Sequence, residues 1–305
     1  WRAKGTHMEV GEADRFSMRG KKGSVYDGGH RVPFFICWPK GGLTGGRDID
    51  TLAAHIDVLP TLADLCDIPV SDAYDEDGTS LKPLLDGSGK ALDRNYHVVQ
   101  FHGGAGGRAL PPGPLAYSTV LTERWRLVNS GGQFLFDIQA DPAQRKDVAA
   151  EHPEVVARLR GLYDPFWERV SPRMTPVRID LGNPAEARTA LCSQDWHMKT
   201  GNPPWNFSSI KKLPKVTGPW MVDVKRAGHY RITLRQWPAE ANKPVVAVRA
   251  KLEIAGQAKE SGVQPGSKGV VFEMDLPAGP TELVTYLYDE KGNAGGAYFT
   301  EVEAL

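Results

Sequence analysis

Residues 18–39, MRGKKGSVYDGGHRVPFFICWP, constrain the fold of this chain more than any other stretch. The first half is a glycine-rich loop, and glycine tolerates positive φ and close approach of other groups to the backbone. Six charged or titratable side chains lie in this loop: Arg19, Lys21, Lys22, Asp27, His30 and Arg31. The second half, residues 32–38, is an apolar run typical of a strand buried on both faces of an α/β sheet. A cationic, glycine-rich loop beside a buried strand is suited to holding an anion.

Composition limits the classes of protein that fit. A length of 305 residues gives room for about two domains of ~150 residues each. The 37 basic residues balance the 37 acidic ones, so no basic surface for nucleic acid or a membrane is expected. The sequence contains no run of 18 apolar residues, which argues against a membrane span. Three cysteines are too few for a disulfide scaffold.

Several motifs resemble those of the sulfatases of the alkaline-phosphatase-like superfamily. The loop and the run after it resemble the pattern K-G-S-x-Y-D/E-G-G-x-R-x-P followed by WPKG. Residues 55–69, 77–85 and 125–147 resemble later landmarks of the same family, in the same order. The resemblance covers residues 1 to about 170 and implies the C-terminal part of a larger formylglycine-dependent arylsulfatase. In that family the nucleophile is a Cys or Ser of a C/S-x-P-x-R motif, oxidised to formylglycine.

The predicted fold class is α/β, with three parts. Residues 1–95 resemble the C-terminal part of a sulfatase catalytic α/β domain, and residues 96–172 its small antiparallel sheet and following helix. Apolar residues then alternate through at least six short segments of residues 177–305, which predicts a β-sandwich accessory domain. This last part resembles the carbohydrate-binding appendages of some bacterial sulfatases.

Lys22 is the first candidate site residue. The family resemblance implies that the lysine directly before Gly23 contacts the sulfate and helps neutralise charge that develops during S–O cleavage. An ammonium group is a compact three-donor charge that suits a tetrahedral oxyanion. Lys21 is the candidate if the motif is read one residue earlier, and an ordinary surface lysine is the alternative for both.

Three further residues are candidates for substrate contact. His30 either borders the substrate pocket or is a structural histidine. His102 and Arg108 belong to the glycine-rich segment around residues 103–114, and long loops of this kind often carry binding residues. Arg31 is expected to form a buried ion pair that holds the loop. No metal ligand is assigned in this chain, since the resemblance implies that most calcium-binding carboxylates lie upstream.

Two other features leave alternatives open. Cys37 begins CWPKG, which satisfies the first and third positions of the formylglycine motif but has Gly41 in place of the arginine, so we do not assign it as the nucleophile. Four tryptophans of the last part either form a platform for sugar rings or pack in the core. They are Trp196, Trp205, Trp220 and Trp237.

The resemblance implies a sulfuric ester hydrolase that acts on an aryl or carbohydrate sulfate with calcium and formylglycine. The alternatives are a phosphoester hydrolase of the same superfamily and a non-catalytic protein that binds sulfated glycans. The expected partner is a sulfated small molecule or glycan rather than nucleic acid or a membrane. Bacterial sulfatases are commonly exported, which implies a periplasmic or secreted location. Without a nucleophile motif, these 305 residues alone are expected to be inactive.

Overall fold

The computed structural model describes residues 18–70, 77–88, 92, 94–101, 113–198, 201–204, 206–211 and 215–305. These residues form two compact units, divided between Arg173 and Met174. Two predicted site residues, His102 and Arg108, lie outside the described residues, as does Trp205. Within the described ranges, no helix is both long enough and apolar enough to cross a membrane.

The described residues of the first unit form four helices and one sheet. The helices are α1 (Asp27–His30), α2 (Val58–Leu65), α3 (Lys82–Leu85) and α4 (Pro153–Val170). The strands are β1 (His97–Gln100), β2 (Ser118–Leu121), β3 (Trp125–Asn129) and β4 (Gln133–Asp137). Short 3-10 turns at Pro39–Gly41 and His55–Asp57 precede α2, and a third at Ser171–Arg173 follows α4.

The small sheet is antiparallel throughout, in the order β1-β2-β3-β4. Gly131, at φ 70°, provides the left-handed residue of the turn between β3 and β4. Leu159 and Tyr163 of α4 pack against the sheet in one core with Val120 and Leu127. The predicted small antiparallel sheet and the helix after it are therefore confirmed.

The predicted strand at residues 32–38 is wrong. Val32 is 75% exposed and Phe35 is 90% exposed, and no described strand pairs with residues 32–37. Trp38 makes only an isolated antiparallel bridge with Leu43. A buried strand requires neighbours on both edges and both faces, and the described part of this chain places none there.

Helix α2 buries little of the apolar stripe that its sequence spacing predicts. Of the residues in that stripe, Leu59, Leu62, Ala63 and Cys66, only Ala63 is buried. The side chains that are buried are Pro60, Thr61 and Ala63. The stripe was expected to cover a sheet that contains residues 32–38, and that sheet is not formed by the described residues.

The second unit is a β-sandwich of two sheets. The first sheet has the order β10-β9-β12-β7-β5, with β13 paired to β12, and the second has the order β11-β8-β14-β6. Their strands are β5 (Ile179–Leu181), β6 (Arg188–Cys192), β7 (Trp220–Val224), β8 (Gly228–Arg235), β9 (Arg249–Ile254), β10 (Gln257–Gly262), β11 (Val270–Leu276), β12 (Gly279–Tyr288), β13 (Ala294–Gly295) and β14 (Phe299–Ala304). One short helix, α5 (Phe207–Lys211), lies between β6 and β7.

The apolar faces of the two sheets share one core. Leu252 and Leu283 of the first sheet and Ile232 and Met274 of the second belong to the same buried cluster. Along β11, buried and exposed residues alternate at every position, as the sequence pattern predicts for a half-buried strand. The predicted alternating strands of this part are confirmed.

Two of the four tryptophans belong to the core of the sandwich. Trp196 and Trp220 are fully buried, with their ring centroids 5.5 Å apart in an edge-to-face arrangement. The platform interpretation is therefore wrong for these two residues, because buried rings cannot contact a sugar at the surface. Burial of such large apolar side chains stabilises the fold. Trp237 is partly buried and packs on the edge of this core.

Candidate functional site

The cationic loop of residues 18–31 is folded tightly by its own backbone. The amide of Ser24 donates to the carbonyl of Lys21 at 2.8 Å, which closes a turn with Lys22 and Gly23 at its centre. Gly23 has φ 83°, a conformation that side-chain-bearing residues rarely adopt. The turn therefore fixes the backbone of Lys22 and leaves its side chain exposed.

Helix α1 approaches the loop closely through its two glycines. A Cβ atom on Gly28 would lie 2.7 Å from the carbonyl oxygen of Arg19. A Cβ atom on Gly29 would lie 2.0 Å from the carbonyl oxygen of Ser24. Gly28 also donates its amide to Arg19 at 2.8 Å. Only glycine fits at these two positions without a shift of the backbone.

A buried ion pair connects α1 to strand β3. Asp27 accepts a hydrogen bond at Oδ1 from Nε of Arg126, at 3.0 Å, and both side chains are buried. The amide of Asp27 donates to Oε1 of Gln144 at 2.9 Å. Burial lowers the pKa of Arg126, and the charge of Asp27 opposes that change. The pair holds the loop on the small sheet.

The predicted buried pair of Arg31 is wrong. The side chain of Arg31 is 60% exposed, and its Nη1 lies 3.9 Å from Oδ2 of Asp27. Arg126 occupies the buried side of the Asp27 carboxylate instead. Sequence reasoning missed Arg126 and Gln144 because they lie 99 and 117 residues from Asp27.

Apolar contacts complete the attachment of the loop. Val25 is buried in one cluster with Val128 of β3 and Phe136 of β4. The guanidinium carbon of Arg19 lies 4.1 Å from the centroid of the Tyr26 ring, a cation–π contact. Arg19 also donates from Nη1 to the carbonyl of Gln144 at 3.1 Å.

Lys21, Lys22 and His30 differ in their surroundings. Both lysines are exposed. His30 faces the loop, with Nε2 at 3.3 Å from the carbonyl oxygen of Val25. Burial lowers the pKa of His30 below its ordinary value of 6.5, against the opposing charge of Asp27. The loop therefore presents four cations to solvent, Arg19, Lys21, Lys22 and Arg31, and keeps His30 half-buried.

The described residues do not form a calcium site. Calcium takes six to eight oxygen ligands. In the described ranges, no three His, Cys, Asp or Glu side chains lie close enough together to hold a metal ion. Cys37 is exposed and precedes a 3-10 turn, Pro39–Gly41, of only three residues.

A second buried network lies around Asp57, which the sequence predicts as the N-cap of α2. Its carboxylate accepts two hydrogen bonds from Nη2 of Arg94, at 2.7 and 2.6 Å, and lies 3.6 Å from Nε2 of His97. It also accepts the amides of Ala54 at 2.7 Å and Thr79 at 2.9 Å. Burial alone raises the pKa of Asp57, but these partners outweigh it and lower the pKa to about 2. The network joins the segment before α2 to the segments before α3 and β1.

Comparison with known proteins identifies relatives of the first half. Residues 16–162 match the family model of the N-sulphoglucosamine sulphohydrolase C-terminal region. N-acetylgalactosamine-6-O-sulfatase of Bacteroides thetaiotaomicron is 30% identical over 154 residues, which are 48% of this chain and 29% of that protein. Human steryl-sulfatase is 34% identical over 84 residues, 28% of this chain and 14% of that protein. This chain thus spans less than a third of the length of these curated relatives.

Part of this chain is also similar to a solved structure. A structure described as concerning the metabolism of multiple glycosaminoglycans by Bacteroides thetaiotaomicron is 25% identical to this chain. The match covers 49% of this chain and 32% of that one, with a TM-score of 0.40. On the sequence matches and the family model, residues 16–162 match the C-terminal portion of the sulfatase family.

Proposed function

We propose that this chain contributes the C-terminal part of a sulfuric ester hydrolase that cleaves an aryl or carbohydrate sulfate. The observation that carries the proposal is the cationic loop, which lies inside the region matched by the sulfatase family. Its backbone is fixed by close glycine contacts and by the buried pair of Asp27 and Arg126, while Lys22 stays exposed. A charge held in place before the substrate arrives stabilises a transition state more effectively than a mobile one.

Lys22 is proposed to contact the sulfate group. As the S–O bond breaks, negative charge grows on the leaving oxygen, and an ammonium group can donate hydrogen bonds to the surrounding oxygens. We propose that Lys21 and His30 lie at the border of the same site, on the strength of their positions in the loop. His102 and Arg108 stay proposals from the sequence, since they lie outside the described residues.

The nucleophile and the metal are proposed to come from outside these 305 residues. The sequence contains no C/S-x-P-x-R motif, and the described residues hold no calcium ligand set. Bound calcium would supply positive charge to sulfate oxygens, as metal ions do in related hydrolytic reactions. The part played by this chain is to position Lys22 and the loop around it.

The substrate class is proposed from the relatives. One relative is named for sulfate on a sugar, N-acetylgalactosamine, and another for steryl sulfate. A sulfated glycan or sulfated small molecule is therefore the proposed substrate, and a periplasmic or secreted location follows from the family. Residues 177–305 are proposed as an accessory domain that helps to bind that substrate.

The proposal is tested with Lys22→Ala and Lys21→Ala in the complete gene product. Loss of one charge-stabilising donor typically lowers kcat by about 10²–10³-fold, so we expect that loss for Lys22→Ala. Lys21→Ala tests the alternative reading of the motif, with an expected change below about tenfold, and Lys291→Ala, at an exposed lysine of the other unit, is the matched control. The measurement is the hydrolysis rate of an aryl sulfate, with the corresponding aryl phosphate assayed in parallel.

Each other result has a defined meaning. If only Lys21→Ala loses activity, Lys21 and not Lys22 is the lysine that contacts the sulfate. If both variants keep full activity, the loop does not contact the sulfate and the proposed role is refuted. Preferred hydrolysis of the phosphate indicates a phosphoester hydrolase, whereas binding of sulfated glycans without turnover indicates a non-catalytic binding protein.

A further inference from the structure

The β-sandwich unit carries a pocket of about 280 Å³ beside helix α5, far along the sequence from the cationic loop. It is lined by Phe207, Ser208, Lys211, Trp237, Ala241 and Lys243. Its size is just below the range of roughly 300–1,000 Å³ that small-molecule sites occupy. It is therefore suited to one small ring rather than to an extended chain.

The walls of the pocket are held by buried residues. Ile210 of α5 is buried in the core of the sandwich, which fixes the helix that carries Phe207 and Lys211. The buried side chain of Gln236 donates from Nε2 to the carbonyl of Ile210 at 3.4 Å. Its Oε1 accepts the amide of Val246 at 2.8 Å. Gln236 thus joins the α5 wall to the segment that carries Trp237 and Lys243.

One side of the pocket is aromatic and open to solvent. Phe207 is 62% exposed, although it is large and apolar. Its ring centroid lies 6.2 Å from that of Trp237, with the planes tilted by 43°. This tilted pair of rings on a fixed wall offers an exposed apolar surface to the apolar face of a ligand ring.

Two lysines also line the pocket. Lys243 places Nζ 4.8 Å from the centroid of the Trp237 ring, and Lys211 lines the same pocket. Among the described residues, no carboxylate forms an ion pair with either lysine. Two ammonium groups in one small pocket attract an anion and repel a cationic ligand.

We propose that this pocket binds one acidic sugar unit, sulfated or carboxylated. The sugar ring would lie against Phe207 and Trp237, and its anionic group would lie between Lys211 and Lys243. Ser208 and Asn206, whose side chains are hydrogen-bonded to each other at 2.6 Å, add polar groups at the edge for sugar hydroxyls. The choice of a sugar among ring-shaped anions rests on the proposed function. The site binds only and carries out no reaction.

The test is a titration of the 305-residue chain with glucose 6-sulfate, glucuronic acid and glucose, followed by ligand-observed NMR. We expect both acidic sugars to bind, and glucose to bind at least about tenfold more weakly, because it lacks the group that the two lysines attract. Binding of the acidic sugars should weaken as salt is raised, since salt screens exposed charges. Comparison of the two acidic sugars shows which anion the pocket prefers.

Variants connect the binding to this pocket. Lys211→Gln with Lys243→Gln is expected to reduce affinity for glucose 6-sulfate by at least about tenfold, and Lys291→Gln, an exposed lysine that does not line the pocket, should leave it unchanged. Trp237→Ala should also reduce binding. Because Trp237 is partly buried, Phe207→Ala at an exposed position is the second variant, and it should weaken binding without unfolding the sandwich.

The outcomes separate this proposal from the proposed function. Equal binding of glucose and glucose 6-sulfate, or full binding by Phe207→Ala and the double lysine variant, overturns the pocket proposal. The absence of any sugar binding, in a complete gene product that hydrolyses sulfate esters, overturns the pocket proposal alone. Binding of acidic sugars that depends on Phe207 and the lysines supports it, even if no sulfatase activity is found.

Discussion

Asp57 connects three segments of the first unit through one buried carboxylate. Its oxygens accept the amide of Ala54 before α2, the amide of Thr79 before α3, and the guanidinium of Arg94 before β1. A buried carboxylate is tolerated only when its charge and its lone pairs are matched in this way. The network therefore ties the loop regions of this unit to its sheet.

The pKa of Asp57 predicts how this contribution depends on pH. The pKa is lowered from 3.8 to about 2, so the native state favours the ionised form. Its stabilising contribution is fully present above pH 4 and is lost as the pH falls from about 4 to about 2. The lowering corresponds to roughly 2 kcal/mol at most, and screening by water reduces this to roughly 1–2 kcal/mol.

We expect Asp57→Asn to destabilise the first unit at pH 7, and the difference from the unchanged protein to shrink by roughly 1–2 kcal/mol between pH 5 and pH 2. The measurement is the free energy of unfolding in urea at several pH values. Asp64→Asn is the matched control, because Asp64 pairs with Lys82 at the surface and should change stability by less than about 1 kcal/mol. A difference that does not depend on pH would contradict the assignment.

Sequence reasoning at the residue scale works where the partners are close in the chain. The backbone role of the loop glycines could be predicted, because several glycines within one short segment favour tight turns and close approach of other groups to the backbone. Arg126 and Gln144 could not, because their contacts with Asp27 depend on how the sheet folds. The pocket lysines could not be predicted either, since Lys211 and Lys243 lie 32 positions apart and become neighbours only in the sandwich.

At the scale of elements, the pair of Asp27 and Arg126 joins α1 to β3. We expect Arg126→Met to destabilise the first unit by about 3–5 kcal/mol, because it leaves the buried Asp27 with only the largely exposed Arg31, at 3.9 Å, as a charge partner. Arg31→Met should cost less than about 1 kcal/mol, because Arg31 is largely exposed. The measurement is the free energy of unfolding of each variant in urea, followed by a spectroscopic signal that comes from the first unit.

A double variant checks the physical reason. Asp27→Asn combined with Arg126→Met removes both charges, so it should recover part of the stability lost by Arg126→Met alone. If the double variant is as unstable as the sum of the two single variants, the loss comes from packing and not from an unpaired charge.

Elements with a repeating pattern could be predicted well, whereas an isolated apolar run could not. Along strands of the sandwich such as β7 and β11, buried residues alternate with more exposed ones. That alternation predicts both a strand and the face that it buries. Residues 32–38, VPFFICW, contain no charged or strongly polar side chain. Such a run shows only that the residues favour burial. Whether neighbouring strands exist depends on the rest of the fold. The apolar residues of α2 are exposed for the same reason, because the described residues do not form the sheet that they were expected to cover.

At the scale of the whole molecule, the two units have separate cores. The sandwich core is made of residues between Leu181 and Val302, and the cores of the first unit use residues between Val25 and Tyr163. The two predicted kinds of architecture, a sulfatase C-terminal region and a β-sandwich, are both present. The separate cores explain why each could be predicted from its own part of the sequence.

We expect the 305-residue chain by itself to show no hydrolysis of an aryl sulfate above the buffer rate. The reason is chemical, since the sequence contains no C/S-x-P-x-R motif from which formylglycine could be made. The complete gene product, assayed at the same concentration, is the control. Measurable turnover by the 305 residues would mean that another group in this chain acts as nucleophile, and Cys37 would be the first to replace.

The exposed run at residues 32–38 has a consequence for handling the protein. Phe34 and Phe35 face solvent, no charge interrupts the run, and its backbone groups are without a neighbouring strand among the described residues. An open apolar edge of this kind is a template for pairing with the same segment of another molecule. Aggregation through this segment is therefore the main colloidal hazard of the isolated chain, and it would grow with concentration and with salt.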